Sequence, residues 1–278
     1  MKRNLRAGAL LLMALSFCGR ESAPEPLPGL GAAASHRKPK GTKDTIGVYD
    51  PPTSTFLLRN SNTSGFADIT VTFGTSGDLP IVGDWNGDGV DTVGIFRPST
   101  STFYLRNRND TGDADIVLTF GSAEDVPLAG DWDGDGKDSI GVYRASNSTF
   151  YLRNLLTSGG ADRAIPYGRK GDLPMAGDWD GSGKDSIGFY RPSDSTCHLR
   201  KSLESSDEVS FKFEVDSTAG IVPIPGDWDG DGVDTVALWN GGAFLIRNKN
   251  SAGPPEAIIT YGVKAHKPLA GTWTRATP

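Results

Sequence analysis

Asp131-Trp-Asp-Gly-Asp135-Gly-Lys-Asp138 decides how this chain folds. It recurs as Asp84-Trp-Asn-Gly-Asp88-Gly-Val-Asp91, Asp178-Trp-Asp-Gly-Ser182-Gly-Lys-Asp185 and Asp227-Trp-Asp-Gly-Asp231-Gly-Val-Asp234. Oxygen-bearing side chains at alternate positions can face one centre, and the glycines between them permit the tight turn this requires. A loop repeated at near-constant spacing belongs to a repeating structural unit.

Two other markers fix the period. Arg59, Arg106, Arg153, Arg200 and Arg247 each follow Leu or Ile and lie 47 residues apart. Trp85, Trp132, Trp179, Trp228 and Trp273 are spaced by 47, 47, 49 and 45, so the fourth interval gains two residues and the fifth loses them again. The loss falls at a shortened turn, Trp239-Asn-Gly-Gly-Ala. A proline stands five residues before each of these tryptophans.

One unit reads as four short strands: Leu128–Trp132, Ser139–Tyr143, Thr149–Arg153 and Ala161–Tyr167. Each is rich in β-branched or aromatic residues and bounded by Gly, Pro, Ser or Asn. No segment beyond residue 40 shows a sustained helical period. The spacing predicts an all-β, five-bladed propeller of four-stranded blades, with an open solenoid as the alternative. The first unit starts on a second strand, Lys43–Tyr49, and the chain ends on a first strand, Pro268–Trp273. The C-terminal strand is therefore predicted to complete the N-terminal blade and close the ring, leaving no exposed seam.

Met1–Arg6 is basic and precedes the apolar run Ala7–Phe17, which ends at Cys18. This predicts a secretory signal over residues 1–18, too short to span a bilayer, and no later segment qualifies as transmembrane. Leu15-Ser-Phe-Cys18 resembles a bacterial lipobox, although Phe17 stands where a small residue is usual. Lipidation and removal of Cys18 are both open. Residues 19–42, rich in Pro, Ala and Gly, read as a flexible tether, and residues 43–278 as the propeller. Without Cys18, Cys197 has no partner, so an exported chain of this kind needs a staple other than a disulfide. The expected location is secreted, or a cell-surface lipoprotein exported from a bacterium.

The net charge is −6 and includes the basic start, so the remainder is more acidic still. Fourteen of the 34 acidic residues sit in the four loops, and no basic stripe for nucleic acid exists. The predicted ligands are positions one, three, five and eight: Asp84, Asn86, Asp88 and Asp91; Asp131, Asp133, Asp135 and Asp138; Asp178, Asp180, Ser182 and Asp185; Asp227, Asp229, Asp231 and Asp234. About four calcium ions are expected, tightest in the second and fourth loops, where all four positions are carboxylates, and weakest where Ser182 replaces one. A helix-loop-helix calcium hand is excluded by the lack of a glutamate at position twelve and of flanking helices.

Gly-Asp-Trp-Asp-Gly-Asp-Gly followed by Asp and an apolar strand resembles the FG-GAP/VCBS repeats of integrin α-chain propellers and many bacterial surface proteins. The resemblance covers residues 44–275 and implies structural calcium in the loop between the first two strands of a blade. The final acid falls one residue earlier here than in that pattern. The unit length and count are more similar to tachylectin-type five-bladed lectins, in architecture alone.

The remaining chemistry is sparse. The repeated arginine is expected to pair across its hairpin, Arg106 with Asp115 and Arg153 with Asp162, for about 0.2–1 kcal/mol each. Cys197-His198 replaces Phe150-Tyr151 of the preceding unit, and adjacent strand residues face opposite ways, so the two read as drifted core positions rather than a nucleophile–base pair. His36 falls in the tether and His266 in a turn. The tryptophans are expected to pack between blades beside the loops rather than to form a sugar-stacking ring. A glycosidase would need a carboxylate pair outside the repeat. Asp50, Glu124, Asp125 and Asp194 are the candidates, none on an inner strand. The function expected is a non-catalytic, monomeric ligand-binding or adhesion module with a carbohydrate or cell-surface protein as partner; the alternative is a glycosidase or other polysaccharide-active enzyme.

Overall fold

The inner strands touch one another in a closed cycle, and this defines the architecture in the computed structural model, which describes residues 41–216 and 218–274. Blade 1 is built from β20 (Lys267–Gly271), β1 (Thr45–Asp50), β2 (Thr55–Leu58) and β3 (Ile69–Thr72). Blade 2 comprises β4 (Leu79–Gly83), β5 (Thr92–Arg97), β6 (Thr102–Leu105) and β7 (Ile116–Thr119). Blade 3 is β8 (Val126–Gly130), β9 (Ser139–Arg144), β10 (Thr149–Leu152) and β11 (Arg163–Pro166). Blade 4 is β12 (Leu173–Gly177), β13 (Ser186–Arg191), β14 (Thr196–Arg200) and β15 (Glu208–Lys212). Blade 5 is β16 (Ile221–Gly226), β17 (Thr235–Asn240), β18 (Ala243–Ile246) and β19 (Ala257–Thr260).

All pairings within blades are antiparallel, and β20 pairs with β1 with Gly47 opposite Leu269. The last strand thus completes the first blade, and contacts of β20 with β16 and β4 close the ring, which rules out an open solenoid. Gly41, two residues before the predicted boundary, is already tied to the ring, its N–H donating to Gly230 O at 2.9 Å. The signal over 1–18 and nearly all of the tether lie outside the described residues. No helix among the described residues is long and apolar enough to cross a membrane.

The sequence explains the layout locally. Each inner strand has a proline near its start, such as Pro80 opposite Ile95 and Pro174 opposite Phe189. Proline cannot donate to a ladder, which is harmless on an edge strand with one side facing the axis. Second strands are buried along nearly their whole length because both faces pack against neighbouring blades, as in β5 and β9. Outer strands alternate, with Leu118 buried between exposed Val117 and Thr119. Rings from the second and third strands pair inside each blade: Tyr49 with Phe56, Phe96 with Phe103 and Tyr143 with Phe150, all with centroids 4.7 Å apart. Such pairs contribute about 0.5–1.5 kcal/mol beyond area burial.

The turn from second to third strand repeats a left-handed serine, Ser54, Ser101, Ser148 and Ser195, with φ between 50° and 59°. Its carbonyl accepts the N–H of the aromatic residue ending the outer strand, as Phe73 to Ser54 and Phe120 to Ser101, both 2.9 Å. In the shortened turn of blade 5, Gly242 takes this place and accepts from Tyr261 at 2.8 Å.

Candidate metal centres

The acidic loops join the first and second strands of blades 2 to 5, so all four open on one face of the ring. In the second loop Asp131 is buried, and its carboxylate organises the turn. Oδ1 accepts N–H groups of Gly134 (2.7 Å) and Asp135 (3.1 Å), and Oδ2 accepts that of Gly136 (2.8 Å). Gly134 and Gly136 have φ of 79° and 86°, a region that side chains penalise. Asp133 and Asp135 each accept the N–H two residues on, at 3.3 and 2.9 Å. The fourth loop repeats this through Asp227, whose oxygens accept from Gly230 at 2.7 Å and Gly232 at 2.9 Å.

The result is two three-carboxylate clusters, Asp131 with Asp133 and Asp135, and Asp227 with Asp229 and Asp231. Within each, one oxygen per residue lies within 4.8 Å of the others. Two oxygens across a calcium ion stand about 4.6–5.2 Å apart, so this donor set fits a hard cation held at oxygen distances of about 2.3–2.6 Å. Burial pushes the Asp131 carboxyl above its ordinary value despite three N–H groups that favour the anion. A cation would supply the missing counter-charge.

The other two loops are weaker gatherings. Asn86 turns its amide toward Asp88, with Nδ2 donating to Oδ2 at 3.3 Å. In the third loop Ser182 replaces the fifth-position carboxylate. Its N–H and that of Gly183 donate to Asp178 at 3.0 and 2.6 Å. Burial, with nearby Asp180 adding to it, drives Asp178 up to about 6.

Position eight also joins neighbouring blades through one carboxylate oxygen. Asp138 donates its N–H to Asp84 O (2.9 Å) and accepts the Asp84 N–H on Oδ2 (2.6 Å). Asp185 clamps Asp131 in the same way, Asp234 clamps Asp178, and Asp91 clamps Thr272. Asp44, which sequence reading passed over, clamps Asp227. Five blades are thereby joined by five reciprocal pairs, and Asp91, Asp138, Asp185 and Asp234 stand outside the two three-carboxylate groups. The cause is positional: residue eight leads into the second strand, where it faces the neighbouring inner strand. Burial and the adjacent Asp138 and Asp234 hold the Asp185 carboxyl well above the usual range. Asn62, Asn109 and Asn250 support the clamps by donating Nδ2 to the carbonyls of Asp44, Asp91 and Asp234 at 2.7, 2.8 and 2.7 Å.

The repeated arginine does not make the expected hairpin pairs. Asp115 accepts the Asn107 N–H and Asp162 the Asn154 N–H, both at 2.8 Å. Arg106 turns to the Asp113 carbonyl and the Asp110 carboxylate, and Arg153 to the carbonyls of Gly160 and Thr157. Only the first unit keeps a cross-hairpin pair, Arg59 with Asp68 at 3.1 Å. These arginines also lie over the aromatic ring ending the previous blade: Arg106 on Phe73, Arg200 on Tyr167 and Arg247 on Phe213, at 6.0, 5.5 and 5.9 Å.

A second arginine series, unnoticed in the sequence, stands on the opposite face. Arg97, Arg144 and Arg191 bind Asp78, Asp125 and Asp172 through Nε and Nη2 at 2.7–2.9 Å. In blade 5 both partners change together, to Ile221 and Asn240, which sit opposite each other. In blade 1 a basic residue type stands at the aspartate position and an acid at the arginine position, with His266 Nε2 3.8 Å from Asp50 Oδ1.

The five repeated tryptophans are buried beside the loops. A Cβ on Gly83, Gly130 or Gly271 would lie 2.7–2.9 Å from the ring two residues on, so each ring lies flat against its own inner strand. Cys197 is fully buried, and burial raises its thiol far above the usual range. His198 faces away from it, stacked on Phe189 at 4.6 Å with Nδ1 between Glu208 and Ser210. Of the irregular acids, Asp125 is taken by Arg144, Asp50 accepts from Thr53 at 2.5 Å, and Asp194 accepts the Thr196 N–H at 3.2 Å. Glu124 lines a shallow cavity of about 320 Å³ with Asp125 and Arg144.

No family model matches the chain, and comparison with curated proteins finds no match.

Proposed function

We propose that the protein is a calcium-stabilised propeller acting as a non-catalytic binding or adhesion module, exported to the cell surface or beyond. The observation that carries this is the pair of three-carboxylate clusters in the second and fourth loops, each on a turn shaped by its own aspartate. Asp131, Asp133 and Asp135, with Asp227, Asp229 and Asp231, would hold the ions. Bound calcium would neutralise buried carboxylates and lock turns whose first residues are also the acceptors of the inter-blade clamps. Loop and ring closure would then be coupled through Asp131 and Asp227. Export is supported by the basic start and apolar run at the N-terminus.

The glycosidase reading is disfavoured by how the carboxylates are engaged. Asp78, Asp125 and Asp172 are each held by a bidentate arginine, which leaves no pair of free carboxyl groups facing each other at those positions. The test is binding of the purified protein to a glycan array and to intact cells, with calcium and with chelator, alongside an assay of glycoside hydrolysis. Binding lost on chelation supports the reading. Hydrolysis without retained binding overturns it.

A further inference from the structure

We propose that the groove between blades 1 and 2 is a single recognition site for a neutral, hydroxyl-rich ligand, in chemical class the pyranose ring of a glycan. The inference rests on the binding-module reading above and names the site and ligand class within it. The groove encloses about 310 Å³ between Phe73 and Gly74 of one blade and Arg97, Tyr104 and the Gly112–Ala114 backbone of the next. That volume suits one or two sugar rings.

Its polar groups are held ready before any ligand arrives. Asp78, itself buried, fixes the Arg97 guanidinium through Nε at 2.9 Å and Nη2 at 2.8 Å. The guanidinium lies 4.6 Å from the Tyr104 ring centroid, so the two planar groups form one wall. The guanidinium also hydrogen-bonds the Tyr104 side chain, so Arg97 and Tyr104 present their remaining N–H and O–H groups to the groove together. Across the groove Asp113 is exposed, with its carbonyl occupied by Arg106, and its carboxylate stands as an acceptor. Arg97 is already neutralised by Asp78, and Asp113 would repel an anion. Donors, an acceptor and planar surface around a groove whose excess charge is the Asp113 carboxylate match a polyol better than an anion.

The corresponding places elsewhere in the ring lack this combination. Between blades 2 and 3, the Thr119 N–H donates across the gap to Ser158 Oγ at 2.9 Å, and Gly160 replaces Asp113. Between blades 3 and 4, Tyr167 packs on Phe189 at 4.8 Å and reaches Glu208 at 2.8 Å, filling the space. Between blades 4 and 5, Asn240 replaces the arginine and the Glu214 N–H bonds Gly253 O at 3.0 Å. Between blades 5 and 1, Asp50 and Leu57 stand for the arginine and tyrosine.

The experiment titrates the purified protein in calcium buffer with glucose, galactose, mannose, N-acetylglucosamine and their β-linked disaccharides, followed by calorimetry and ligand-observed NMR. The expected result is one site per chain for at least one sugar, weakened about tenfold or more by Asp113→Ala and by the groove-filling Ala114→Trp. Ala161→Trp, the same change at the next interface, leaves binding unaltered. Several equivalent sites, or binding indifferent to Ala114→Trp, overturns the groove while sparing the binding-module reading. Cell binding by a protein that takes no sugar also overturns the groove alone; a folded, calcium-bound protein that binds neither sugars nor cells overturns both.

Discussion

Blade 3 holds Asp125 through Arg144, whereas blade 5 manages with Ile221 and Asn240, and this contrast makes a quantitative double-mutant cycle. Asp125 is almost fully buried, 1% exposed by side chain, and accepts two guanidinium bonds at 2.8 and 2.7 Å plus the Ser122 N–H at 2.8 Å. Arg144 is 32% exposed and stacks on Tyr151 at 4.7 Å. Removing one partner of a buried pair costs about 3–5 kcal/mol when the remaining charge is stranded. Water can enter the space left by a partly exposed arginine, so Arg144→Asn is expected to cost about 2–3 kcal/mol. Asp125→Ile frees an arginine that turns to solvent, at about 0.5–1 kcal/mol. Together they recreate the blade 5 arrangement, and the double variant is expected within about 1 kcal/mol of the parent, a coupling of about 2 kcal/mol. Urea unfolding followed by tryptophan fluorescence reads each corner of the cycle. Additive costs, with the double variant about 3 kcal/mol down, would refute the claim that blade 5 dispenses with the pair by losing both members at once.

Three further outcomes are expected. Excess chelator lowers the melting temperature, calorimetry with calcium finds two tighter sites, and Asp135→Ala with Asp231→Ala removes them; one site at a hundredfold its dissociation constant contributes about 2.7 kcal/mol. An unchanged melt in chelator sinks the metal assignment. In chelator, stability falls from pH 5 to pH 7, because Asp178, at about 6, and Asp185, also raised by burial, bind more protons folded than unfolded. That contribution is complete below the unfolded value of 3.8 and is lost as pH rises through the folded one, and calcium flattens the slope. A melt that is level or rises over that window contradicts it. Cys197, buried with its thiol pushed up, resists iodoacetamide in the native state and reacts only under denaturant, as peptide mass spectrometry would register.

The ring was legible in the sequence because five copies of a short pattern reinforce one another. Strand starts, the closing strand and the burial of the tryptophans all follow from spacing and strand chemistry, without knowledge of how blades tilt against each other. What failed was the arginine pairing, which needed that tilt. Arg106 and Arg153 were assigned partners on the adjacent strand of their own blade, the only neighbours a flat hairpin offers. In the ring their neighbours include the loop carbonyls beyond and the last aromatic of the blade before. The position-eight aspartates were grouped with the loop because they are acidic and near it; their second engagement, with the next blade's inner strand, was not legible without the tilt. Asp44 shows that the signal for the clamp was present: it keeps its acid although the residues before it lack the other loop acids, as a blade clamp requires.

The same logic applies to the second arginine series. Asp78, Asp125 and Asp172 recur 47 residues apart, as do Arg97, Arg144 and Arg191. The fourth copy loses both, and the fifth places His266 at the aspartate position and Asp50 at the arginine position. Correlated change within one chain reports contact as directly as a shared period reports fold. A buried carboxylate tolerates the loss of its guanidinium only if it is lost too. Blades are thus free to drift provided that both ends of each clamp drift together. The groove between blades 1 and 2 lies where the clamp is kept but the bridging contacts of the next three interfaces are not, so specificity for a ligand can arise on a repeated scaffold without disturbing the ring.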